Sequence, residues 1–192
     1  VKGDRRSRPT AHGAIWVGAI ETACALIACV IPVTAASADG TWFVQGGDGD
    51  RAVKSASIGL TRGFQPFGLT ETSAVSFYGE LVIGEWFVHE AAAADRSHFT
   101  QFGVTPVLRY SFAGGPFVEA GIGLDVIAPR FRDNQRVFST KFNFADHAAV
   151  GTRFGTALAN EVSLRVEHFS NGGIRHPNPG QNFVELRYAR HF

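Results

Sequence analysis

Thiols are nearly absent from this sequence. Its 192 residues hold two cysteines, Cys24 and Cys29, and no methionine. Both cysteines precede residue 39, so the chain from Asp39 onward has neither a disulfide framework nor thiol chemistry. Charge is also sparse, with 18 Lys and Arg against 17 Asp and Glu for a net +1. That excludes a polycation built to bind nucleic acid and a strongly charged disordered tail. Beyond Asp39 no apolar run approaches the 18 or so residues of a membrane-spanning helix. The mean hydropathy of +0.02 is too low for a bundle of such helices. His98, His147 and His176 show no metal-ligand spacing with acids, and no glycine loop opens a helix after a strand. Neither a metal nor a nucleotide cofactor is expected.

The first 38 residues read as an export leader. Lys2, Arg5, Arg6 and Arg8 precede an apolar stretch from about Ala23 to Val33, and Ala36-Ser37-Ala38 supplies a small-x-small cleavage site before Asp39. An uncleaved anchor is the alternative, but Glu21 and Pro32 interrupt a full span. Leu26-Ile27-Ala28-Cys29 resembles a lipoprotein box, yet the apolar run continues past Cys29. Without residues 1–38, Lys and Arg fall from 18 to 14 and Asp and Glu from 17 to 15, a net −1.

What is abundant is glycine (22) and phenylalanine (17), spread over about eight runs of period two. Phe102, Val104, Leu108, Tyr110 and Phe112 alternate with Gln101, Gly103, Thr105 and Arg109. Val118–Leu124, Phe142–Val150, Val162–Val166 and Val184–Phe192 alternate likewise. Runs near Trp42–Gly46, Val53–Arg62 and Val75–Val88 complete the eight. A soluble sandwich or barrel would turn the apolar face inward; an outer-membrane barrel turns it outward and keeps polar groups inside. The polar faces carry Glu80, Glu119, Asp125, Glu167 and Glu185 against Arg109, Arg153, Arg165 and Arg187. So balanced a set suits an interior ion-pair network. A last strand ending Tyr188-Ala189-Arg190-His191-Phe192 resembles the assembly signal of such barrels. The expected fold is therefore all-β, an eight-stranded antiparallel transmembrane β-barrel of the outer membrane over residues 39–192. Ala113–Pro116 and Thr156–Asn160 read as short periplasmic turns, Ile127–Thr140 and Asn171–Gln181 as long external loops. Gly63–Ser73 is long for a periplasmic connection.

Strand seven closes on Leu164-Arg165-Val166-Glu167-His168-Phe169-Ser170. Parity puts His168 and Ser170 on the lipid face, at the outer end. Lipid offers no water to polar groups, although the cost falls near the interface. A His beside a Ser can take its proton and make it a nucleophile toward an ester. Two interfacial polar residues without a role are the alternative, and His-x-Ser alone does not separate the two.

The surrounding residues add a resemblance. His168-Phe169-Ser170-Asn171, then Gly173, Pro177-Asn178 and Gly180, resemble the active-site segment of the lipid A 3-O-deacylases (PagL), outer-membrane barrels of Gram-negative bacteria. Pro116-Phe117-Val118-Glu119-Ala120-Gly121-Ile122-Gly123 and Asn143-Phe144-x-Asp146 resemble the same family, in the same order. The resemblance covers roughly the C-terminal half. It implies lipid A in lipopolysaccharide as partner and hydrolysis of its 3-O-linked acyl chain by a Ser–His–Glu triad on the outer barrel wall. Ser170 is then the nucleophile and His168 the general base, with Asn178 and Asn171 as candidate oxyanion donors. Pro177 and Pro179 fix the backbone around Asn178, whereas Asn171 equally suits a turn. The oligomeric state, a homodimer included, stays open.

The departure is at the third triad position. The family's Glu falls on Asn182, or on Gln181 with a shift of one. Loss of that carboxylate costs ~10⁴ in a serine protease. Glu185 is near in sequence, but parity points it into the barrel. Three possibilities stand: Asn182 orients His168 at a reduced rate, an acid elsewhere substitutes, or the barrel is a structural or interaction protein with a decayed site. An acyl transferase would need a donor-chain pocket inside the barrel, and the charged inner faces argue against one. Arg130, Arg132, Arg136, Lys141 and Arg175 could meet lipid A phosphates or form solvated loops.

Overall fold

The computed structural model describes residues 40–64, 74–88 and 98–192. The leader, most of the connection at Gly63–Ser73 and residues 89–97 lie outside them. Eight strands follow in chain order: β1 Gly40–Gly49, β2 Val53–Gly63, β3 Val75–Val88, β4 His98–Ser111, β5 Pro116–Ala128, β6 Phe142–Phe154, β7 Asn160–Ser170 and β8 Gln181–His191. Each pairs antiparallel with the next, and β8 pairs back to β1, so the sheet closes. Closure removes every free strand edge, which a membrane requires. β1 is longer than its sequence pattern because Gly47 and Gly49 lie where a Cβ would meet β8. These glycines hide the alternation while allowing the close approach.

The alternation resolves as expected. Ile58, Leu81, Phe102, Ile122, Leu164 and Leu186 point outward and are about half exposed. Trp42, Tyr110, Phe112 and Phe154 lie toward the chain-terminal end of the wall, where Trp42 meets the Tyr188 ring edge-on at 5.7 Å. This is the arrangement of an aromatic girdle. The Phe192 ring lies where a Cβ on Gly40 would be, and its N–H donates to the Gly40 carbonyl at 3.0 Å.

Inside, the sequence expectation holds for half the barrel. Toward the chain-terminal end, Arg165 is fully buried and donates from Nη1 and Nη2 to the two oxygens of Glu80, at 2.8 and 3.0 Å. Arg187 also donates to Glu80. Arg109 bridges Glu119 at 2.8 Å and Glu161 at 2.7 and 2.9 Å. Glu161 is outside the expected set because the alternating pattern starts that run at Val162, two residues after β7 begins. Three expected members pair differently. Asp125 accepts from Gln101, Glu185 accepts from Gln45 and Ser55, and Glu167 shares a hydrogen bond with Glu185 rather than an ion pair with an arginine.

The other half of the interior is apolar, contrary to the all-polar expectation. Trp86, Phe99, Ile127, Phe169 and Phe183 turn inward there. Phe131 and Phe138, from the long β5–β6 connection, fold back among them. Inward aromatics on strand ends and a loop returning into the mouth are not visible to a period-two reading. They occupy the half of the interior where only charged faces were expected.

Removing one partner from a buried ion pair strands the other and costs about 3–5 kcal/mol. Arg165→Ala is therefore expected to lower the unfolding free energy by about that amount, read by urea titration in lipid vesicles. A loss below about 1 kcal/mol would mean that water, not Arg165, satisfies Glu80 and Glu119.

Candidate active site

The site lies at the barrel end where β1–β2, β3–β4, β5–β6 and β7–β8 connect. It is built on the outer wall. His168 and Ser170 occupy alternate positions of β7; His168 is exposed and Ser170 half-buried. Their neighbours follow from register. On one side Asp146 of β6 is opposite His168 and Phe144 is opposite Ser170. On the other, Asn182 of β8 is opposite His168. Parity carries all of these outward together.

His168 is held from β8. Its Nδ1 lies 2.7 Å from Asn182 Oδ1. Asn182 in turn donates from Nδ2 to Asp50 Oδ2 at 2.8 Å, and its backbone N–H donates to the same oxygen at 3.2 Å. Asp50 sits in the tight β1–β2 turn, Asp50–Ala52. Sequence reasoning missed it, because it is 132 residues from Asn182 and only barrel closure brings them together. Asp146 faces His168 from the neighbouring strand on the opposite side, but no hydrogen bond joins them. Ser170 Oγ accepts from Gly172 N–H at 3.3 Å and does not bond His168. Catalytic hydrogen bonds are often open before substrate arrives.

The β7–β8 loop separates the two oxyanion candidates. Asn171 is buried, and its Nδ2 donates both to Ser139 Oγ at 2.8 Å and to the Arg175 carbonyl at 2.7 Å. Both amide protons are committed, so the structure gives Asn171 the work of a loop latch, the turn-forming alternative. Asn178 accepts the Asn171 backbone N–H on Oδ1 at 3.0 Å. A backbone donor must face the oxygen, so Nδ2 with its two protons stays open to a ligand.

Gly180 completes the loop with φ of +68°, and a Cβ there would lie 2.9 Å from His168 Cε1. Glu185 is buried inside the barrel, away from His168, as parity requires.

The basic residues divide. Arg136 donates to Asp133, to the Gly180 carbonyl at 3.0 Å and to Gln181 Oε1 at 2.7 Å. It is a structural brace and not a free phosphate ligand. Partial burial raises the Asp133 pKa, but N–H groups of Gln135 and Arg136 and the Arg136 guanidinium outweigh it, leaving Asp133 below the usual carboxylate range. Arg130, Lys141 and Arg175 instead surround an open depression with Ser139 and Phe142. Among the described residues no group of three or more His, Cys, Asp or Glu could hold a metal ion.

The sequence profile described as "Lipid A 3-O-deacylase (PagL)" matches residues 56–191. The chain belongs to this PagL family. Two relatives named lipid A deacylase PagL, from Bordetella bronchiseptica and Pseudomonas aeruginosa, are each 37% identical, over 95 and 86 residues. The matches take in 50% and 43% of this chain, and 52% and 48% of those proteins. The chain thus spans about half the length of the curated relatives it matches. The crystal structure of the outer membrane enzyme PagL aligns with a TM-score of 0.62 at 27% identity, covering 80% of this chain and 99% of that one. This PagL-family member is accordingly an eight-stranded β-barrel of the outer membrane.

Gly180→Ala must displace either His168 or the loop, and a misplacement of about 1 Å can cost on the order of 10²-fold in rate. On the reading of Ser170 as nucleophile and His168 as its base, phosphonylation of Ser170 by a fluorophosphonate is expected to slow by about that factor. An unchanged rate would show that the His168 ring has room to yield.

Proposed function

We infer that this barrel hydrolyses the 3-O-linked acyl ester of lipid A in the outer leaflet, by a Ser/His mechanism. The observation that carries the reading is the placement of Ser170 on the outer face two residues from a His168 that Asn182 already holds by Nδ1. The steps follow from the atoms present. Ser170 Oγ attacks the ester carbonyl while His168 Nε2 takes its proton. Asn178 Nδ2 donates to the developing oxyanion. The sugar hydroxyl leaves with the proton from His168, and the acyl chain stays on Ser170. Water, deprotonated by the same Nε2, then releases a fatty acid and restores the hydroxyl.

Three further features support the assignment. The site is on the lipid-facing wall, so an embedded substrate reaches it without entering a pocket. It lies at the end with the long β5–β6 and β7–β8 connections, the external end of such barrels. Arg130, Lys141 and Arg175 lie on those same two connections and complement an anionic lipid headgroup. Residues 1–38 serve as the export leader, and mass analysis of the barrel purified from membranes should find Asp39 first.

The decisive experiment is a mass spectrum of lipid A from cells making the wild-type chain or Ser170→Ala. Loss of one 3-hydroxyacyl group with the wild type alone is expected. Asn178→Ala should keep the specificity and lower kcat by about 10²–10³. If lipid A is unaltered while both barrels are folded in the outer membrane, the barrel is structural and the site decayed.

A further inference from the structure

The geometry points to Asp50 as the acid of this site, a positioning residue that acts on His168 through the amide of Asn182. The inference rests on the deacylase reading above. A Ser–His pair needs its imidazole held with the proton on Nδ1, so that Nε2 keeps the lone pair that takes the serine proton. A carboxylate touching Nδ1 does this directly. Here an amide touches Nδ1, and an amide alone is ambiguous. Turned one way it offers oxygen and selects the productive tautomer. Turned the other way it offers N–H and selects the unproductive one.

Asp50 removes the ambiguity. An ionised carboxylate only accepts, so the Asn182 group facing it at 2.8 Å is the N–H₂. Oδ1 then faces His168 at 2.7 Å, and Nδ1 must be the donor. The negative charge also polarises the amide, since hydrogen bonds to ionised groups are stronger and chains of them reinforce one another. When His168 becomes cationic during the reaction, the charge of Asp50 lies two hydrogen bonds away along one chain.

Asp50 is itself held for this work. Its carbonyl accepts from Gln181 Nε2 at 3.3 Å and from Arg136 Nη2 at 3.5 Å. Arg136 is anchored by Asp133 at 2.8 Å. The turn that presents Asp50 continues through Arg51 and Ala52, at φ of 58° and 59°. Side chains rarely adopt that region, and the brace keeps them there. Asp146 is the other carboxylate facing His168, but it makes no hydrogen bond to the ring, and its Oδ1 is buried without a partner. With no hydrogen bond to the ring, it does not choose the tautomer.

The test uses the full barrel in detergent micelles or vesicles, each variant first shown to be folded by its mobility on an unheated gel. Asp50→Asn is expected to lower kcat about tenfold with KM unchanged, the difference between a charged and a neutral second bond. Asp50→Glu should recover part of that loss. In an Asn182→Glu background the acid touches His168 directly and Asp50 becomes a like-charged neighbour, so Asp50→Asn should no longer lower kcat. A merely structural Asp50 would lower it in both backgrounds.

The ¹⁵N shifts of the His168 ring give a readout independent of turnover. The wild type should hold Nδ1–H, and Asp50→Asn should shift the population toward Nε2–H. A wild-type ring protonated on Nε2, or a kcat within twofold of wild type for Asp50→Asn, overturns the inference. If the wild type does not deacylate but its ring holds Nδ1–H only while Asp50 is present, the relay stands and the deacylase reading fails.

Discussion

Closure between β1 and β8 is the constraint on which the rest of the molecule depends. A strand's side chains alternate with period two, so a slip of one residue anywhere would exchange wall for interior. Register around all eight strands places His168 and Ser170 outward and Arg165 and Glu185 inward. It also pairs Gly49 with Phe183, and so sets the turn carrying Asp50 beside Asn182. Until the last pair of strands zips, the two ends of the relay are far apart in the chain. A barrel that has not closed carries the serine and the histidine but not the acid.

The interior supports the wall in two ways. Toward the chain termini, guanidinium groups and carboxylates cross between non-adjacent strands, as when Arg165 of β7 meets Glu80 of β3. Such pairs resist replacement by one partner alone, which makes them a strong register lock. Toward the mouth, rings of Trp86, Phe131, Phe169 and Phe183 interlock at centroid distances of 4.7–5.8 Å, edge-on or tilted. Phe169 lies between His168 and Ser170 in sequence and points the opposite way. The aromatic plug thereby steadies from behind the strand segment that carries the site in front.

Much of this was legible in the sequence, for a specific reason. Period-two alternation is local, and the strands, the lipid-facing parity of His168 and Ser170 and the inward turn of Glu185 all follow from it. The absence of an acid at position 182 was equally plain. What could not be read was anything set by contacts between distant segments. Asp50 lies in a turn with no motif around it, and nothing near it in sequence hints at His168. Asn171 and Asn178 belong to one loop, and only their hydrogen bonds separate the one that latches from the one left with open N–H groups. Arg136 looked like its basic neighbours until its partners were known.

A site on an outer wall meets its substrate from the side, and this has a consequence for selectivity. Strands rise about 3.3 Å per residue, and only alternate residues share a face. Moving the nucleophile along β7 while keeping it outward would change its height by about 7 Å, less any strand tilt. On the deacylase reading, the ester that reacts is the one the bilayer presents at the level of Ser170. The apolar band below, from Leu164 and Val166 outward, sets where that level falls. Chain length beyond the ester would then matter little, because the tail stays in the lipid. The membrane acts as the ruler, and the barrel supplies a mark on it.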